Sequence, residues 1–77
     1  MLVDDTWTNL EALIKIISRI ELKDIKIEIS YESSGESALE YFKETNKKNN
    51  NFKIDLIITD QNMGKMSGSD LCSEVIY

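Results

Sequence analysis

Short strand-like runs alternate with helix-like runs along this chain of 77 residues, and that alternation constrains the fold more than any other feature. Leu2 and Val3 form an apolar stub, residues 25–31 alternate apolar with polar side chains, and residues 56–58 are continuously apolar. Alternation with period two is typical of a strand with one exposed face, whereas a continuous apolar run is typical of a strand covered on both faces. We therefore expect the second strand at a sheet edge and the third strand to be covered on both faces.

Each strand-like run is followed by a segment with the features of a helix. After the first run, apolar residues recur three and four positions apart, at Leu10, Leu13, Ile14, Ile17 and Ile20. Three pairs have the spacing of a capping box at a helix start, namely Thr8 with Glu11, Ser33 with Glu36, and Ser67 with Asp70. Residues 45–53 are polar and rich in asparagine, which predicts a loop.

The order strand-helix-strand-helix-strand-helix predicts an α/β fold with a parallel sheet. Right-handed crossovers place the carboxyl ends of all three strands at one edge, and ligands of such sheets bind at that edge. Asp4 and Asp5 follow the first strand, and Asp60 ends the third. We therefore expect three acidic residues that are distant in sequence to meet at this edge.

A cluster of three carboxylates needs neutralisation, because like charges in one pocket repel each other. Oxygen ligands without His or Cys suit Mg²⁺, which usually takes one or two carboxylates and keeps several waters. A carboxylate beside the metal and a phosphoryl donor is a plausible nucleophile, since aspartyl phosphates are established intermediates. An acidic pair after a strand is more often a solvated turn or a helix cap, and that alternative stays open at this point.

Composition excludes several classes of site and location. The chain has no His and a single Cys, Cys72, which excludes an internal disulfide, a His-ligated zinc site and a Ser-His-Asp triad. The formal net charge of −5 argues against binding to nucleic acid or to anionic membranes. No apolar run approaches the ~20 residues of a membrane span. The first residues lack the pattern of a signal peptide, so we expect a cytoplasmic location.

Three motifs together resemble the receiver domain of two-component response regulators and hybrid histidine kinases. They are Leu2-Val3-Asp4-Asp5 followed by Asn9-Leu10, Ser34-Gly35-Glu36-Ser37-Ala38-Leu39, and the segment from Asp60 to Gly68. The last follows the family signature D-x-x-M-P-x-M-x-G with Gly64 in place of Pro. The resemblance implies a flavodoxin-like fold with strand order 2-1-3-4-5. Residues 1–77 would form a partial receiver domain with order 2-1-3, in which the fourth and fifth strands, with the family's Ser/Thr switch and phosphate-binding Lys, are absent.

The resemblance also implies roles for individual residues. Asp60 would be the phosphate-accepting aspartate, Asp5 would bind Mg²⁺ directly, and Asp4 would act beside it through water. The backbone carbonyl of Asn62 would be a further ligand of the metal. The phosphoryl group would come from a phosphohistidine on a histidine kinase or a histidine phosphotransfer protein, and the chain would act as a phosphorelay signalling module with no enzymatic turnover.

Two other functions remain open at the level of sequence. One is a pseudo-receiver that binds a kinase without taking up phosphate. The other is a Mg²⁺-dependent phosphohydrolase with an aspartate nucleophile, although that class expects a second Asp where this chain has Asn62. A third strand without a further neighbour would be an edge open to self-association. We therefore expect a marginally stable monomer, which urea denaturation would test.

Overall fold

The structure, a computed structural model, describes residues 1–48 and 54–75. Strands and helices alternate in the order β1 (Leu2–Val3), α1 (Trp7–Ser18), β2 (Tyr31–Glu32), α2 (Gly35–Lys48), β3 (Ile58–Thr59) and α3 (Gly68–Val75). The strands form one parallel sheet in the order β2-β1-β3. This confirms the predicted α/β class and the partial flavodoxin-like sheet with order 2-1-3.

The register of the sheet separates two faces. Leu2 lies opposite Tyr31 and Ile58, and the next residue, Val3, lies opposite Glu32 and Thr59. Because successive side chains of a strand point to opposite faces, these two rows face different helices. The row with Val3 faces α2 and α3, where Val3, Ala38, Met63 and Leu71 form the buried core cluster. On the other face, α1 contacts β1 and buries Leu10.

The strands are shorter than their sequence patterns predict. Of residues 25–31, only Tyr31 pairs with β1, and Ile25 makes an isolated antiparallel bridge to Leu22. Alternating apolar residues form a strand only where a neighbouring strand offers partners, and β1 begins at Leu2. The second strand nevertheless lies at an edge of the sheet, as predicted.

The expectation that the third strand is covered on both faces is wrong. β3 forms the second edge of the sheet, as expected for a third strand without a further neighbour, but the Leu56 and Ile58 side chains are 67% and 39% exposed, so one of its faces is uncovered. Ile57 points to the opposite face and packs against the core cluster. The continuous apolar run predicted that both faces of β3 are buried, but α2 and α3 cover only one of those faces.

Two of the three predicted capping boxes are wrong in position. The N-cap of α1 is Thr6, whose side chain makes no capping hydrogen bond, so Thr8 and Glu11 form no box. At α2 the hydroxyl of Ser34, rather than Ser33, accepts the N–H of Ser37 at 3.1 Å. Each prediction failed because the helix begins at a different residue from the one that the pattern indicated.

The third box is confirmed at the start of α3. The Asp70 N–H donates to Ser67 Oγ at 3.0 Å, and the Ser67 N–H donates to Asp70 Oδ2 at 3.2 Å. The predicted loop of residues 45–53 is helical as far as Lys48, and its remainder lies outside the described residues. Among the helices that the structure describes, none combines the length and apolar composition needed to cross a membrane.

The corrected cap of α2 gives a paired test. We expect Ser34→Ala to lower the free energy of unfolding by about 1 kcal/mol, because the Ser37 N–H loses its capping acceptor. Ser33→Ala is the matched control, since Ser33 is exposed and does not cap the helix, and it should change stability by less than about 0.5 kcal/mol. Urea denaturation of both variants measures the difference, and equal losses would contradict this assignment.

Candidate metal centre

Backbone pairing brings the acidic residues that follow β1 and β3 to the same edge of the sheet, at the carboxyl ends of the strands. The Asp4 N–H donates to the carbonyl of Glu32 at 3.2 Å, and the Asp60 N–H donates to the carbonyl of Val3 at 2.9 Å. One carboxylate oxygen from each of Asp4, Asp5 and Asp60 lies within 4.8 Å of the others. The predicted meeting of these three residues is therefore confirmed, although 55 positions separate Asp5 from Asp60 in the chain.

The three carboxylates differ in exposure and in hydrogen bonding. Asp4 is buried, with 7% of its surface exposed. Its Oδ1 accepts the Thr6 N–H at 2.9 Å and the Asn9 side-chain amide at 3.5 Å. Asp5 is exposed and Asp60 is half-buried. Asp4 is thus held in place by α1 and the turn before it, while the other two carboxylates are accessible to a ligand.

Asp60 is positioned by bonds to its backbone and to its side chain. The Thr59 hydroxyl donates to the Asp60 carbonyl at 2.9 Å, and the Gln61 N–H donates to Asp60 Oδ1 at 2.9 Å. The second carboxylate oxygen, Oδ2, takes no part in this hydrogen bond with the Gln61 N–H. The arrangement leaves that oxygen for a cation or for attack on an electrophile.

Gln61 joins the acidic edge to the start of α3, a role that the sequence patterns did not reveal. Its Oε1 accepts the N–H of Ser69 at 2.9 Å and the hydroxyl of Ser69 at 2.8 Å. Its carbonyl accepts the Gly68 N–H at 3.0 Å. Gln61 lies in the loop between a strand-like run and a helix-like run and belongs to no periodic pattern, so only the folded structure shows this contact.

Gly68 allows α3 to approach the backbone of Asp60. A Cβ atom at Gly68 would lie 2.5 Å from the Asp60 carbonyl oxygen and 3.1 Å from Thr59 Cγ2. The first of these contacts is far shorter than a van der Waals distance and involves backbone, so close packing favours glycine at this position. Gly68 therefore contributes to the position of the candidate nucleophile through the backbone.

The loop between Asp60 and α3 departs from the receiver signature at Gly64. Gly64 has φ +64°, which is unfavourable for most residues and unavailable to proline, whose ring holds φ near about −65°. The neighbouring Met63 is buried in the core cluster and anchors the loop to it. The loop of this chain thus has a conformation that a proline at position 64 would not adopt.

The donor set at this edge fits a hard cation. All the donors are carboxylate oxygens, which suits a divalent ion such as Mg²⁺, Mn²⁺ or Ca²⁺. Within residues 1–48 and 54–75, no Lys or Arg makes an ion pair with Asp4, Asp5 or Asp60. Asn62 is exposed in the same loop. That its backbone carbonyl is a ligand of the metal stays a prediction. The three acids together can bind a metal ion.

No family model, no curated protein and no solved structure matches this chain. Its small three-stranded parallel sheet with helices is compatible with a receiver-like fold.

Proposed function

We propose that the chain is a receiver module that accepts a phosphoryl group on Asp60, with Mg²⁺ bound by the acidic cluster. The observation that carries the proposal is the meeting of Asp4, Asp5 and Asp60 within 4.8 Å at the carboxyl edge of a parallel sheet. The motif from Asp60 to Gly68 supports it, because two of its signature positions have structural roles in this loop. Met63 fills the core, and Gly68 permits the contact with Asp60.

The proposed chemistry is the transfer of one phosphoryl group from a phosphohistidine. A carboxylate oxygen of Asp60 attacks phosphorus, the new O–P bond forms as the N–P bond of the donor breaks, and the departing histidine nitrogen keeps the electron pair. Mg²⁺, when bound, would offset the negative charge on the phosphoryl oxygens and align the reacting groups. Asp4 and Asp5 would hold the ion, and Asp4 is fixed for that role by Thr6 and Asn9.

The donor partner would be a histidine kinase or a histidine phosphotransfer protein. Half-buried Asp60 and exposed Asp5 leave room for the donor's imidazole to approach the edge of the sheet. Gln61 lies between Asp60 and α3, so a phosphoryl group on Asp60 would act next to the start of that helix. The output would be a changed surface presented to later partners.

The direct test is incubation with a small phosphoryl donor, phosphoramidate or acetyl phosphate, followed by intact mass spectrometry. We expect a mass increase of one phosphoryl group that requires Mg²⁺ and disappears with a chelator. A folded protein that gains no phosphoryl group in the presence of Mg²⁺ would contradict the proposal. Partner binding that persists without phosphate uptake would then favour a pseudo-receiver.

Trp7, the single tryptophan, offers a test of metal binding. It begins α1 two positions after Asp5, is 53% exposed, and contacts the Tyr31 ring at a centroid distance of 5.5 Å. We expect millimolar Mg²⁺ to change its fluorescence, because neutralising Asp5 alters the field and the packing at the start of α1. Asp5→Asn and Asp60→Asn should remove the response.

Asp24→Asn is the matched control for this titration, since Asp24 is an exposed carboxylate outside the cluster. It should respond to Mg²⁺ as the wild-type chain does. A spectrum that stays constant in the wild type, or an identical response in Asp5→Asn, would leave the metal proposal without support.

A further inference from the structure

Gln61 supplies hydrogen-bond acceptors for the first turn of α3. A helix leaves its first N–H groups without partners inside the helix. In this chain the Gly68 N–H donates to the Gln61 carbonyl at 3.0 Å, and the Ser69 N–H donates to Gln61 Oε1 at 2.9 Å. The N–H of the next residue, Asp70, donates to Ser67 Oγ. Two of the first three N–H groups of α3 therefore depend on one residue of the loop that follows β3.

The same residue holds the carboxylate of Asp60 through its backbone. The Gln61 N–H donates to Asp60 Oδ1 at 2.9 Å. The peptide bond between the two residues is planar, so the direction of this N–H is fixed by the whole peptide unit. On the sheet side the unit is held by the Thr59 hydroxyl, which donates to the Asp60 carbonyl at 2.9 Å. On the helix side it is held by the Gln61 side chain, whose Oε1 also accepts the Ser69 hydroxyl at 2.8 Å.

The hydrogen bond to Oδ1 decides how the carboxylate of Asp60 faces a phosphoryl donor. Rotation about the last bond of an aspartate side chain is only weakly restricted, so a carboxylate without fixed partners takes a broad range of orientations. With Oδ1 bonded to the Gln61 N–H, Oδ2 keeps one direction relative to the sheet edge. Holding a reacting atom near its direction of attack raises a rate, because less rotational freedom is lost on the way to the transition state. A peptide unit fixed by α3 therefore favours attack by Oδ2.

We propose that Gln61 is a positioning residue for phosphoryl uptake, an inference that rests on the proposed function of Asp60. The bonds between its side chain and Ser69 fix the peptide unit that holds Oδ1, and Oδ2 is then aligned to attack phosphorus. With acetyl phosphate as the donor, the bond from Oδ2 to phosphorus forms as the bond between phosphorus and the acetate oxygen breaks, and acetate leaves with the electron pair. The Gln61 side chain acts through Asp60, because its Oε1 is bonded to α3.

The test compares initial rates of phosphoryl uptake from acetyl phosphate at saturating Mg²⁺, measured by intact mass on the full chain. Gln61→Met keeps the length of the side chain but lacks the amide oxygen, and its rate should fall about tenfold because two hydrogen bonds are lost. Ser69→Ala removes one of these two bonds and should lower the rate about threefold. Gln61→Glu keeps an acceptor for both donors and should stay within about twofold of the wild-type rate.

Ser67→Ala is the matched control, because it removes the other cap of α3 and leaves both Gln61 side-chain bonds in place. It should lower the urea midpoint, as Gln61→Met should, yet keep the wild-type rate of uptake. The Mg²⁺ concentration that half-saturates the Trp7 response should be unchanged in Gln61→Met, since the carboxylates of the acidic cluster are intact. Equal rates in Gln61→Met and the wild type would overturn the inference. So would an equal loss of rate in Ser67→Ala, or a shifted Mg²⁺ titration in Gln61→Met.

Amide hydrogen exchange measured by NMR gives a readout that needs no phosphoryl donor. The amide at position 61, corrected for the intrinsic exchange rate of each sequence, should exchange faster in Gln61→Met than in the wild type and be unchanged in Ser67→Ala. Faster exchange with unchanged uptake would refute the positioning role and leave the proposed function of Asp60 intact. A folded wild-type chain that takes up no phosphoryl group would refute both.

Discussion

Asp60→Asn is expected to abolish uptake of the phosphoryl group from phosphoramidate or acetyl phosphate. An amide has no anionic oxygen with which to attack phosphorus, and the cluster loses one of its three carboxylates. The substitution preserves shape, and the amide oxygen can still accept the Gln61 N–H that Asp60 Oδ1 accepts. The expected result is therefore complete loss of the mass increase with little change in stability, measured by intact mass and by urea denaturation on the same sample.

Asp55→Asn controls for the general effect of removing a negative charge near β3. Asp55 is exposed, lies five positions earlier in the chain, and does not belong to the acidic cluster. It should accept phosphate as the wild type does. Phosphate uptake that survives in Asp60→Asn would assign the nucleophile to another residue and would contradict the proposed function.

Gly68→Val is expected to lower the free energy of unfolding by about 3 kcal/mol, the upper part of the usual range for overpacking. The first added atom already lies 2.5 Å from the Asp60 carbonyl oxygen. That oxygen belongs to backbone whose N–H is bonded to Val3, so it cannot move without disturbing the ladder between β3 and β1. Domains have about 0.05–0.15 kcal/mol of stability per residue, so in a chain this short the loss removes a large share of the total.

Gly64→Asn is the matched control for Gly68→Val. A Cβ at Gly64 meets no atom within 4 Å, and asparagine tolerates the positive φ of this position better than most residues do. It should cost less than about 1 kcal/mol in the same urea titration. If both variants lost the same stability, the close contact between Gly68 and Asp60 would not be the reason for the glycine.

The acidic site illustrates how much a sequence pattern can predict. Asp4 and Asp5 follow one apolar run and Asp60 ends another, and the helix-like runs between them imply parallel strands. In such a sheet all carboxyl ends share one edge, so the meeting of the three residues follows from connectivity. The Ser67–Asp70 capping box was predictable for a similar reason, because both partners lie within one helical turn.

Other features depend on neighbours that the local pattern does not identify. Residues 25–30 and residues 54–57 have strand-like sequences, yet they form no strand. The Ser30 carbonyl accepts the Leu2 N–H and the Leu56 carbonyl accepts the Met1 amino group, but no ladder extends further along either segment. Gln61 is hydrogen-bonded to the start of α3, and Gly68 lies against Asp60. In both cases the packing of Met63 and Leu71 in the core brings the two segments together.

The sequence by itself determined the order of strands and helices, the parallel sheet, and the edge at which Asp4, Asp5 and Asp60 meet, because these depend on periodicity and chain connectivity. Only the tertiary structure decided where each strand and helix begins, which faces of β3 stay exposed, and why position 68 is a glycine. Those properties depend on contacts between residues that are distant in sequence, and such contacts form only when the helices pack on the sheet.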